Sequence, residues 1–158
     1  MQLSSNTSFT GTYSHTIDSK GRLSIPSEFR EILKNKYTEE IQLFKSPINR
    51  CIVAYPMSEW EIFQSRLDKL SKYNPQEWKI RAFILSSTRP CIIDKAGRIL
   101  IPTDLRNYSG LDKDVILWGD ITSFEIWNTE RWNKVYDDTR ENPDVADFIG
   151  EIFAKKGL

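Results

Sequence analysis

Two stretches of this chain run through the same series of apolar and polar positions. T-Y-S-H-T-I at 12–17 is rich in β-branched and aromatic side chains and predicts a strand. D-S-K-G at 18–21 is turn chemistry, with Gly21 free to take a positive φ. L-S-I at 23–25 alternates apolar and polar, and Pro26 suits the first turn of a short helix over S-E-F-R-E-I-L. The whole frame then returns. I-D-S-K-G-R-L-S-I-P-S-E-F-R at 17–30 aligns with I-D-K-A-G-R-I-L-I-P-T-D-L-R at 93–106, at a constant offset of 76. In the second copy I-L-I is apolar throughout, which predicts a more buried strand. Further strands are expected at 41–44 and 51–55, and again at 115–118 and 123–127.

A looser match extends the repeat. C-I-V-A-Y-P-M-S-E-W at 51–60 parallels S-F-E-I-W-N-T-E-R-W at 123–132, at an offset of 72. The shorter offset reflects a longer connection in the first copy, near K-S-P-I-N-R at 45–50. A self-match at a fixed period means a duplicated structural unit. Between the copies the spacing changes to that of helices. Ser58 and Glu61 form an S-x-x-E capping box, opening a helix with Trp60, Phe63, Leu67 and Leu70 on one face. Asn74 is the expected N-cap of the next, with Pro75 in its first turn. A third helix should begin near Asn128. A last one, opening at Asn142-Pro143, carries Val145, Phe148, Ile149, Ile152 and Phe153, a stripe that calls for docking on the domain or on another subunit.

Composition narrows the function classes. The 158 residues suffice for one domain or two small fused ones, and a hydrophobic fraction of 39% is that of a folded protein. No run approaches the roughly 18 apolar residues of a membrane span. Cys51 and Cys91 form no C-x-x-C pair, and a single His15 leaves zinc without a ligand set. Reduced thiols and an N-terminus without signal-peptide character predict a cytoplasmic protein with no cofactor, no metal and no small-molecule substrate. Net charge is zero, but unevenly spread. Residues 66–106 hold nine basic and four acidic side chains, a balance of +5, and residues 107–158 hold six and eleven, a balance of −5. Such a spread is compatible with a basic face inside a neutral protein, and equally with solvated helix faces.

The duplicated D-x-x-x-R carries the chemistry. Across a tight turn, positions i and i+4 face each other at the strand mouths. The carboxylate can take turn N–H groups and pair with the guanidinium, leaving the other arginine donors in a fixed outward fork. That fork suits phosphate oxygens or the O6/N7 edge of guanine. A hairpin ion pair with no ligand is the plainer alternative. Duplication favours the fork, because it builds a pseudo-two-fold surface with two equivalent arginines.

The pattern F-T-G-T-Y-S-H-T-I-D-S-K-G-R-L-S-I-P-S-E-F-R, followed by D-K-A-G-R-I-L-I-P-T-D-L-R, closely resembles the MraZ family of bacterial transcriptional regulators, from about Phe9 to about Tyr136. This group is AbrB-like, of the swapped-hairpin type. The resemblance implies an α+β fold in which two AbrB-like β halves, 9–56 and 89–136, form a pseudo-two-fold β-barrel. A helical hairpin at 57–88 would lie between them, with a C-terminal helical tail at 137–158. It also implies a ring-shaped homo-oligomer, nucleoid-associated, binding short G-rich direct repeats of double-stranded DNA upstream of the division and cell-wall gene cluster. Carried over by position, the DNA-contacting residues are Arg22 and Arg98, with Asp18 and Asp94 as orienting partners. The turn residues Lys20 and Lys95 would add phosphate contacts, although Ala96, not Lys95, aligns with Lys20. Residues 1–8 and those beyond about 140 are the least family-like.

Other residues have competing roles. Arg30 and Arg106, on the short helices, could reach phosphate or pair with Glu28 or Asp104. His15 could contact DNA or simply face solvent. Trp60, Trp118 and Trp127 lie on apolar faces, which favours packing over base stacking. Arg66, Lys69, Lys72, Lys79 and Arg81 could line a basic patch, although solvated helix surface is the simpler expectation. An enzyme lacks a nucleophile with an adjacent base. A ring that binds only protein is the remaining alternative to a DNA-binding regulator.

Overall fold

The computed structural model describes residues 6–141 and 144–158. It forms two compact units, one through Asn128 and one over Thr129–Leu158. In the first unit the duplicated sequence becomes a duplicated series of elements. The first copy gives β1 (Thr12–Thr16), β2 (Arg22–Ser24), α1 (Ser27–Lys36), β3 (Glu40–Lys45) and β4 (Ile52–Pro56). Helices α2 (Met57–Leu67) and α3 (Pro75–Leu85) intervene. The second copy gives β5 (Arg89–Ile92), β6 (Arg98–Leu100), α4 (Thr103–Ser109), β7 (Asp114–Gly119) and β8 (Phe124–Asn128).

Pairing crosses between the copies. β1 runs antiparallel to β7, with Thr12 opposite Trp118, and β5 runs antiparallel to β3, with Glu40 opposite Ile92. β4 pairs β8, which completes the sheet order β1-β7-β8-β4-β3-β5. β2 and β6 form a separate two-stranded ribbon, Leu23 opposite Ile99, and Leu23 also bridges Ile17 just past the end of β1. Each half thus lends its first strand to the other half's sheet, a swapped-hairpin arrangement in an α+β fold.

One core serves both halves. Ile25 and Ile101, Phe29 and Leu105, Ile41 and Val115, and Leu43 and Leu117 occupy corresponding places in it and are all buried. At about 25 cal/mol per Å² of apolar surface, these side chains dominate the stability of the unit. A second cluster, Phe44, Val53, Trp60, Leu67 and Ile84, seats α2 and α3 on the sheet, with Phe63 and Leu70 partly buried beside it.

Three local expectations are corrected. Leu100 is 61% exposed, so I-L-I is no more buried than L-S-I. The facing of the ribbon decides this, since Leu100 lies opposite Arg22 on its open side. Ser58 does not cap α2: the helix starts at Met57 directly after Pro56, and no side-chain bond caps it. β4 runs straight into the helix there, which places Ser58 inside the first turn. Pro26 stands one position before α1, at the N-cap. Asn74 does cap α3, its Oδ1 accepting from the N–H groups of Gln76 and Glu77 at 3.0 and 3.1 Å.

The second unit consists of α5 (Thr129–Glu141) and α6 (Asp144–Lys156). On α6, Phe148, Ile149, Ile152 and Phe153 are 40–49% exposed. The expected opening of this helix at Asn142-Pro143 falls outside the described residues, as does the Val145 side chain.

Candidate nucleic-acid interface

The two D-x-x-x-R turns are near-copies at the level of single hydrogen bonds. In the first, the Asp18 N–H donates to Arg22 O at 3.0 Å and the Gly21 N–H to Asp18 O at 3.0 Å. Oδ1 of Asp18 accepts from the N–H groups of Lys20 and Arg22, both at 2.9 Å, and Oδ2 accepts from Nε of Arg22 at 2.7 Å. In the second, Asp94 Oδ1 accepts from Ala96 and Arg98 N–H at 2.9 Å, and Oδ2 from Arg98 Nε at 3.2 Å. Gly21 and Gly97 sit at φ 83° and 79°, the left-handed region that lets each turn close within three residues.

These bonds leave a definite electrostatic state. The backbone N–H of Arg22, aided by its side chain and by the Lys20 N–H, holds the Asp18 carboxyl below the usual carboxylate range. The N–H of Arg98 is the main cause of the same shift at Asp94. Both carboxylates are therefore charged at neutral pH, and each spends Oδ2 on its arginine's Nε. Neither arginine's Nη groups have a partner among the described residues, and the two side chains remain 35% and 33% exposed. Two guanidinium forks are thus oriented with their terminal donors unspent.

The halves are stitched where the forks stand. The Ile25 N–H donates to Gly97 O, and the Ile101 N–H to Gly21 O, both at 2.9 Å. On the β2–β6 ribbon Arg22 lies opposite Leu100 and Arg98 opposite Ser24. All six sequence-predicted site residues therefore lie on two adjacent turns joined by one ribbon. Lys20 and Lys95 are exposed at non-equivalent turn positions.

The short-helix arginines behave differently from expectation. Neither pairs with Glu28 or Asp104: Arg30 Nε donates to Ile25 O at 3.2 Å, and Asp104 accepts from Arg89 at 3.0 Å. Each instead lies against the turn of the other half. A side chain on Gly97 would place its Cβ 2.5 Å from Nη1 of Arg30, and one on Gly21 would lie 3.2 Å from Nη1 of Arg106. The offset of 76 pairs the two arginines in sequence, but their cross-half placement depends on the strand swap.

Of the remaining candidates, His15 is half-buried and its pKa is lowered, chiefly by burial. Trp60 and Trp127 are buried, as packing predicts. Arg81 is not solvated surface. It donates to the Leu67 and Leu70 carbonyls at 2.8 and 3.1 Å and closes the end of α2. Among the described residues no group of three or more His, Cys, Asp or Glu side chains is placed to hold a metal ion, and no helix is long and apolar enough to cross a membrane.

Comparison with known proteins agrees with the duplicated turns. The family model described as "MraZ protein, putative antitoxin-like" matches residues 8–82 and 84–148. A protein of Syntrophobacter fumaroxidans named transcriptional regulator MraZ is 40% identical over 125 residues, covering 79% of this chain and 82% of its own length. Relatives of the same name from Alkaliphilus metalliredigens and Citrobacter koseri are 38% and 34% identical. They cover 91% and 94% of this chain and 98% and 95% of their own lengths. With both halves matched and 82–98% of these relatives' own lengths covered, the chain belongs to the MraZ family.

Proposed function

We propose that this chain is a transcriptional regulator, not an enzyme, that binds double-stranded DNA sequence-specifically through its paired turns. The observation that carries the reading is the pair of pre-oriented arginine forks, Arg22 and Arg98, whose Nη donors are unspent on one two-stranded ribbon. The major groove admits a two-stranded ribbon, and there an arginine fork reads guanine O6 and N7. Asp18 and Asp94 set the forks, and Lys20 and Lys95 contact phosphate. The regulator names of its relatives support this reading.

By resemblance, the protein acts in the cytoplasm at the nucleoid as a ring, on short direct repeats in the promoter of the division and cell-wall gene cluster. The β2–β6 ribbon would close the six-stranded sheet into a pseudo-two-fold barrel. The halves at 9–56 and 89–136 would carry recognition, and the 57–88 hairpin and 137–158 tail assembly. The test is a mobility-shift assay on that promoter with wild type and the Arg22→Ala/Arg98→Ala double variant. Specific shifts lost in a folded double variant support the reading. Equal shifts by both proteins sink it, and a wild-type ring that shifts no duplex points to a protein scaffold.

A further inference from the structure

Beside each turn lies a cleft, and the two clefts correspond by the pseudo-two-fold. The cleft at the second turn, about 190 Å³, is lined by Arg30, Lys34, Glu39, Asp94, Lys95 and Gly97. Its counterpart at the first turn, about 450 Å³, is lined by Asp18, Ser19, Arg106, Asp112 and Lys113. Matching hydrogen bonds fix the correspondence: the Ile93 N–H donates to Glu39 O at 3.1 Å, and the Ile17 N–H to Lys113 O at 2.8 Å. Lys95 therefore stands where the first cleft has Ser19, and Lys34 corresponds to Gly110 of the second half.

The second cleft is the smaller and holds three cations. Its two carboxylates do little to neutralise them. Asp94 is already committed to the turn, and Glu39 reaches Lys34 only at 4.0 Å between exposed groups. Arg30 is also fixed there, its Nε held by Ile25 O and its guanidinium lying against Gly97. The first cleft is wider. With Asp18 committed to its own turn as Asp94 is, the cleft's two cations face the Asp112 carboxylate, and the Arg106 side chain has no hydrogen bond among the described residues to hold it in place.

We infer that the cleft of Arg30, Lys34 and Lys95 is a phosphate site and that its counterpart beside the first turn is not. Resting on the DNA-binding reading above, this makes the pseudo-symmetric face asymmetric. Of the two clefts only the one beside Arg98 grips the sugar–phosphate backbone, the Lys20 contact lying outside the first cleft, and the duplex meets the face in one orientation. Lys34 and Arg30 thereby join the DNA-binding set, and Lys95 acts through the cleft.

The experiment uses the full chain and a duplex enriched from a random pool by the wild-type protein. Affinity is measured between about 50 and 200 mM salt. Each phosphate that is no longer neutralised reduces the slope of log affinity on log salt by about 0.9. Lys34→Gln alone should reduce the slope by about one and Lys34→Gln/Lys95→Gln by about two, and Lys113→Gln should leave it unchanged. An unchanged slope in Lys34→Gln, or an equal reduction in Lys113→Gln, overturns the inference while DNA binding stands. A wild-type protein that enriches no duplex overturns the DNA reading and this site with it.

Discussion

Replacing Arg22 or Arg98 by alanine removes a fork and part-covered stem contacts but no core side chain, since both arginines are half-buried and lie outside the hydrophobic core. Each change should lower the urea midpoint only slightly and weaken specific DNA binding by about 1–3 kcal/mol for each base no longer read. Full affinity in the double variant would end the assignment. Asp18→Ala should act more mildly, through a loosened fork. The turn carboxylates have lowered pKa values, so their contribution is complete above the unfolded value of about 3.9 and is lost as pH falls through the lower folded values. Between pH 8 and pH 5 they are therefore silent. His15 is the residue that responds in that range. Burial lowers its pKa, with Glu28 opposing and Arg30 adding to the shift. Proton binding then favours the unfolded chain, so stability is full above about pH 6.5 and declines below it until the folded pKa is passed. Wild type should lose urea midpoint between pH 7 and pH 5, and His15→Gln should lose less. Parallel losses would exclude His15 as the cause.

At the scale of elements, two serine or asparagine starts that look alike in sequence have different consequences. Asn74→Ala removes two N–H bonds from the first turn of α3 and should cost about 1 kcal/mol in urea denaturation. Ser58→Ala removes no cap bond and should cost almost nothing. A cost at Ser58 equal to that at Asn74 would contradict the placement of the α2 start. The contrast shows where the sequence was legible. Turn chemistry, the Asp-to-Arg spacing and the Asn74 cap are local, and the duplicated frame marked both turns with Asp18, Arg22, Asp94 and Arg98, whereas Lys20 and Lys95 entered only through the resemblance. The S-x-x-E signal at Ser58 is local too, but Pro56 ends a strand that feeds directly into the helix and overrides it. Leu100 misled because apolar composition does not reveal which side of a ribbon is open. Residues alone suggested that β1 would fold back on β2. The actual partner is β7, with Thr12 opposite Trp118, a pairing that depends on how the halves cross and was legible only through the family resemblance. The placement of Arg30 and Arg106 over each other's turns follows from that crossing and was hidden with it.

For the whole molecule, the decisive number is a net charge of zero. A neutral chain gains little non-specific attraction to DNA, and one face with two forks reaches few bases. On the proposed DNA-binding reading, tight binding comes from repetition. In a ring, each subunit bound to one operator repeat raises the local concentration of the next face at the next repeat. Affinity should then fall steeply, not in proportion, when a promoter fragment is cut from several repeats to one. Spacing matters for the same reason. Neighbouring faces of a closed ring meet one side of the duplex only when repeats are separated by near-whole turns of about 10.5 base pairs. Inserting about half a turn between repeats should reduce affinity close to that of a single repeat. A whole-turn insertion should restore part of it, as far as ring curvature permits. Mobility shifts on the two insertions, at one salt concentration, compare them directly. Equal affinity for both would mean that each face binds alone, and a ring would then have no part in recognition.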